Sequence, residues 1–225
     1  MSTDPMHSRP RRSRTPTDPT QFPQRFFLKV KSDILSVNGP GFLSYTNIEP
    51  EIGSLVAISL DCDKEIEARS VYINFNSVSK EFHVTMPTGL HMSVIPWLKN
   101  EFFRAGQSGF FSACENDTLT MSSSTRFDSF APPYAMSFKE PEAYIQPESC
   151  PLPTVVFEVG YSESYPRLLR DKDLWLVGAA AHVNVVILIK WSLLAQSRIK
   201  GRVEVWRKNQ PAPLTFVRGF PLQFL

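Results

Sequence analysis

Two glutamates are placed where this chain could do metal chemistry. Glu158 stands near the end of Thr154–Val159, whose β-branched and aromatic side chains, bounded by Pro153 and Gly160, predict a strand. Alternation puts Thr154, Val156 and Glu158 on one face and Val155, Phe157 and Val159 on the other. A carboxylate there is costly to bury without a partner, so it reads either as a salt-bridged or solvated residue or as a ligand. Sixteen residues earlier, Glu142 follows Pro141 at the head of the short extended run Ala143–Gln146. Proline keeps that stretch out of a helix interior. Two acids on neighbouring strands can hold a divalent cation through oxygen ligands, as magnesium requires.

The elements around them follow from pattern. After Glu158, Tyr161–Pro166 reads as a loop and helix start, followed by a helical pattern to about Val177. Val183–Ile189 is too continuously apolar for an exposed strand and predicts a sheet covered on both faces. Upstream, Thr88–Ala105 predicts a helix capped by Thr88 and ended by Gly106, with Pro96 kinking it so that the regular part begins near Ile95. Its apolar stripe carries Glu101 at the edge, which reads as a solvent pair with Lys99 or Arg104 or as a third member of the acidic site. His91 reads as an ordinary surface or capping residue.

With 225 residues and 42% hydrophobic content the chain is long enough for one packed domain with a tail. No apolar run reaches the length of a membrane span, and no secretory leader precedes the first apolar residues, so an intracellular, cytoplasmic or nuclear, location is expected. A net charge of +2 carries no global signature of nucleic-acid binding. Cys62, Cys114 and Cys150 are widely spaced and read as free thiols rather than zinc ligands.

Residues 1–25 are rich in Pro, Ser, Thr and Arg and predict a disordered basic tail. The arginines at 9, 11, 12 and 14 read as solvated, with phosphate contact or an import signal as the alternatives. From 26 to 86 the texture predicts a β-rich extension: strands at Arg25–Lys31, Ser54–Leu60, Val71–Asn76 and Glu81–Met86, the last two paired through Ser77–Lys80. Asp61, Asp63, Glu65 and Glu67 lack the glycine and terminal glutamate of a calcium loop and read as a solvated turn. A short strand is expected at Thr118–Met121, an edge strand at Arg202–Trp206, a brief helix or linker at Leu193–Arg198, and an irregular tail over 208–225.

Lys139-Glu-Pro-Glu142, followed by Val155-Val-Phe-Glu158-Val-Gly-Tyr-Ser-Glu-Ser164, resembles the PD-(D/E)XK, or restriction-endonuclease-like, superfamily, and more closely a large group of uncharacterised fungal proteins with that core. The similarity also takes in Met86–His91, Trp97-Leu98 and Trp175-Leu176, spanning roughly 70–207. It implies an α/β nuclease-like core over 87–207, with a mixed central sheet flanked by helices. It also implies magnesium-dependent hydrolysis of DNA phosphodiester bonds, with Glu142 and Glu158 as metal ligands and Glu101 as an added one. The family motif has a lysine two residues after the second acid, and Gly160 stands there. Lys172, on the apolar stripe Tyr165-Leu168-Leu169-Lys172-Leu176, is the candidate substitute that would orient water or stabilise the phosphate charge, or else a snorkelling or salt-bridged lysine; Lys190 is a weaker candidate, and Asp171 and Asp173 are expected to point elsewhere. The competing reading is a nuclease-fold module without catalysis, acting in nucleic-acid or protein binding, with Gly160 marking the lost lysine.

Overall fold

The structure is a computed structural model that describes residues 22–87, 89–161, 164–196 and 198–221. The expected tail therefore lies outside the described residues up to 21. Helix α1, Pro23–Ser36, occupies what remains of it and replaces the strand expected at Arg25–Lys31. Proline opens the helix, where its missing N–H costs nothing, and Phe26, Val30 and Ile34 recur every four residues on the buried face. The same correction applies to Ser54–Leu60, which belongs to helix α2, Pro50–Asp61, after strand β1, Gly41–Tyr45. Its buried residues Gly53, Val56, Ala57 and Leu60 follow helical spacing, and the apolar run between them reads equally well as a strand. The acidic turn forms the one-turn helix α3, Lys64–Glu67, capped by Asp63, whose carboxylate accepts from the Glu65 and Ile66 amides and pairs with Lys31.

Strands β2, Tyr72–Asn76, and β3, Glu81–Met86, form the expected hairpin, and β1 adds on the far side of β3. The N-terminal extension is thus α/β, three helices against a three-stranded antiparallel sheet, rather than β-rich. Its core gathers Phe26, Ile48, Leu60, Phe75 and Phe82.

Helix α4, Gly89–Gln107, runs through Pro96, which faces solvent. Helix α5, Ala113–Thr118, is built on a capping box between Ser112 and Glu115. Then come β4, Leu119–Ser122; β5, Ala143–Pro147; β6, Val155–Gly160; helix α6, Tyr165–Asp173, continued by a π-turn over Leu174–Gly178; β7, Val185–Leu194; β8, Arg198–Arg207; and β9, Leu214–Pro221. Three expectations fail at this end, the first being the edge position of Arg202–Trp206: β8 lies between β7 and β9. Among the described residues no helix separates β7 from β8, because the two strands extend to Leu194 and from Arg198, and β9 takes the place of the irregular tail over 214–221.

These six strands make one sheet in the order β4-β5-β6-β7-β8-β9, parallel only between β6 and β7, where α6 provides the crossover. The protein is therefore mixed α/β with a six-stranded mixed sheet and helices on both faces. One face packs Val156, Val186 and Leu188 against Leu168, Leu174 and Trp175 of the α6 segment. The other packs Phe157, Val159 and Ile189 against Val94 and Leu98 of α4. The N-terminal sheet docks through the segment before β5: Phe75 and Phe138 exchange backbone hydrogen bonds of 2.9 Å, and the Glu140 amide donates to Asn74 Oδ1.

Candidate functional site

Strand β6 carries Glu158 onto the α6 face of the sheet. The face that α6 turns inward is Arg167, Leu168, Asp171, Leu174 and Trp175, an i, i+1, i+4, i+7, i+8 stripe. Trp175 donates its indole N–H to Glu158 Oε1 at 2.7 Å. Lys139 enters from the segment between the two sheets, where its backbone exchanges hydrogen bonds with Phe127. Its Nζ lies 3.1 Å from Glu158 Oε2 and 3.0 Å from Asp171 Oδ2. Lys139, Glu158 and Asp171 are 3%, 4% and 6% exposed, so this is an internal cluster of two carboxyls around one ammonium.

The electrostatics divide the two acids. Burial, with the Asp171 charge added, raises the Glu158 carboxyl to about 8 against the pull of Lys139 and Trp175. Burial works on Asp171 too, but the charges of Lys139 and Arg167 hold it below the usual carboxylate range. Burial thus works against two full negative charges around the one ammonium, and Asp171 is the acid that its neighbours hold in the charged form. Around the cluster, His83 of β3 is buried, and burial, helped by the Arg167 charge, lowers it to about 3. Arg167 stacks over Phe42, 4.1 Å from the ring centroid, and Arg170 grips Glu81 with two bonds of 2.8 and 2.9 Å. The cluster therefore also joins α6 to the N-terminal sheet.

The residues named from sequence are distributed differently. Glu142 is buried at the head of β5, its amide donating to the Phe157 carbonyl just beyond the last paired position, Ala143 against Phe157. Glu142 thus lies just before β5, next to the strand that carries Glu158. After burial, the Glu142 charge helps raise the Tyr72 phenol, which puts this carboxylate in the Tyr72 neighbourhood. Lys172 does not reach Glu158: its ammonium lies 2.5 Å from Asp173 and 4.4 Å from the Trp206 ring centroid. The stripe on α6 runs one residue, about 100°, away from the one read through Lys172, which brings Asp171 inward instead. Glu101 is exposed and paired with Arg104 at 2.7 Å. Lys190 donates to the Tyr161 carbonyl at 2.7 Å. The side chain of His91 lies outside the described residues.

No family model, curated protein or solved structure matches this chain.

The arrangement can be tested against the magnesium that the family resemblance implies. Both Glu158 oxygens have donors, Trp175 and Lys139, and the Lys139 ammonium stands between the two carboxyls where a cation would sit. Among the described residues no group of three or more His, Cys, Asp or Glu side chains is placed to hold a metal ion. A divalent cation at Glu158 would have to displace a buried ammonium, so the donor set does not fit one. Asp171, expected from sequence to point away from the site, turns into it instead, and Lys139 has no role in the expected site, although it opens the Lys-Glu-Pro-Glu run. The signal for Asp171 was the 167–171–175 spacing ending on a tryptophan.

Proposed function

We propose that this chain is a binding module on a nuclease-like core, without metal-dependent hydrolysis. The observation that carries the reading is the Lys139 ammonium at 3.1 and 3.0 Å from Glu158 and Asp171, a fixed positive charge inside a closed cluster. Charge balance favours a partner other than nucleic acid: four arginines and two aspartates in residues 1–21 account for the whole +2 surplus, leaving the rest of the chain neutral. No helix among the described residues is long and apolar enough to cross a membrane, so the resemblance to the PD-(D/E)XK core concerns a chain without a helical span there.

The hydrolytic reading keeps one observation in its favour, Glu142 just before β5 beside the strand that carries Glu158. Incubating the purified protein with single- and double-stranded DNA in magnesium or manganese separates the two. Intact substrates are expected. Cleavage that requires the metal and is lost in Glu158→Gln overturns the binding-module reading.

A further inference from the structure

The face of the six-stranded sheet opposite the Lys139 cluster is only half covered. Val94 and Leu98 of α4 pack over β6 and β7, with Trp191 of β7 and Val203 of β8 against their edge, while Phe216 and Val217 of β9 stay exposed. Between α4 and these strands lies a groove of about 890 Å³, within the usual range for a small-molecule site. Three rings wall it: Trp97, 51% exposed; Phe216, 61% exposed; and Trp191. Trp191 lies flat on β8 because position 201 is glycine; a Cβ there would come within 2.6 Å of the indole. Its own N–H is enclosed without an acceptor among the described residues, so packing rather than hydrogen bonding holds this wall in place.

The polar lining is one-sided. No acid lines the groove, and Arg218 is its charged residue, exposed at the rim and without an ion-pair partner among the described residues. The register sets Arg218 opposite Gly201 and Phe216 opposite Val203, so the guanidinium and the ring point to the same face. An apolar, ring-walled cleft with a lone arginine at its mouth complements a molecule with an apolar body and one anionic end.

We propose that this groove binds an amphipathic carboxylate of small-molecule size, the apolar body between Trp97, Trp191 and Phe216 and the anion on Arg218. The site is on the other face of the sheet from Glu158 and does not rest on the reading of the Lys139 cluster. The test uses the full chain with 1-anilinonaphthalene-8-sulfonate as fluorescent probe and decanoate and decanol as competitors. One saturable probe site is expected, displaced by decanoate about fivefold more effectively than by decanol. Trp97→Ala and Arg218→Gln, both changes of exposed residues, should each weaken the probe by about fivefold or more. Leu28→Ala, at an exposed position of α1 in the N-terminal extension, should leave it unchanged. Probe binding indifferent to Trp97 and Arg218, or equal displacement by decanol, overturns the proposal. So does light scattering that shows a dimer dissociated by Phe216→Ser, since a second copy would then be the occupant.

Discussion

Replacing Lys139 with methionine tests the cluster where it is most exposed to refutation. Methionine keeps the length and most of the volume of the stem, so the change removes a charge rather than a packing unit. What remains is Asp171, 6% exposed, with its ammonium partner gone. Breaking a buried pair by deleting one member costs about 3–5 kcal/mol, and that loss is expected at pH 7.5. The pH dependence carries a sign. Burial drives Asp171 upward and Lys139 is the largest influence holding it down, so without Lys139 its carboxyl rises above its unfolded value. Glu158 is already raised to about 8, first by burial. An acid with a raised folded pKa retains a proton that the unfolded chain has released, so its contribution is fully present below the unfolded pKa and is lost as pH rises through the folded one. The deficit of Lys139→Met should therefore shrink by about 1 kcal/mol or more between pH 7.5 and pH 5. Urea unfolding followed by the fluorescence of buried Trp175 reads both quantities. A second change, Asp171→Asn on top of Lys139→Met, should restore more than half of the loss by removing the stranded charge. A deficit below about 1 kcal/mol, or one equal at both pH values, refutes the electrostatic reading of the cluster.

His83, lowered to about 3 chiefly by burial, should show no ring titration by NMR above pH 4; stability should fall as pH drops below about 6.5, because the unfolded chain then takes up a proton that the folded one refuses. A ring titrating near 6.5 contradicts its burial between β3 and α6. Gly53→Ala should destabilise by about 1–3 kcal/mol in urea despite the helix preference for alanine, since a Cβ would sit 2.4 Å from the Phe75 ring inside the N-terminal core. Lys172→Met should cost about 1 kcal/mol or less, its partners being the half-exposed Asp173 and the Trp206 ring; a loss comparable to that of Lys139→Met would mean that the helix presents the wrong face.

The two strands around Glu158 and Glu142 were legible because their composition and their proline and glycine boundaries agree. So was the β6–α6–β7 order, where a continuously apolar strand demanded cover on both faces. The N-terminal helices were not. Phe26, Val30 and Ile34 mark a helix by spacing, but the Phe-Phe-Leu-Lys-Val run around them carries the side chains of a strand, and only tertiary packing decides between the two. The cluster is half legible: burial cost marks Glu158, and the helical pattern points to the right helix for its partner but to Lys172 rather than Asp171. A shift of one residue turned the side chain away and brought an acid in. The cation came instead from Lys139, nineteen residues before Glu158, a pairing across sheets that no local spacing encodes.

Metal binding at Glu158 can be measured directly. Titration of the apo-protein with manganese, monitored by the electron paramagnetic resonance of the free ion, should show no saturable site in the wild type and no difference between wild type and Glu158→Gln at pH 7.5. That is the expected result if the Lys139 ammonium stands in the cation position between Glu158 and Asp171. A stoichiometric manganese site in the wild type that disappears in Glu158→Gln would contradict it.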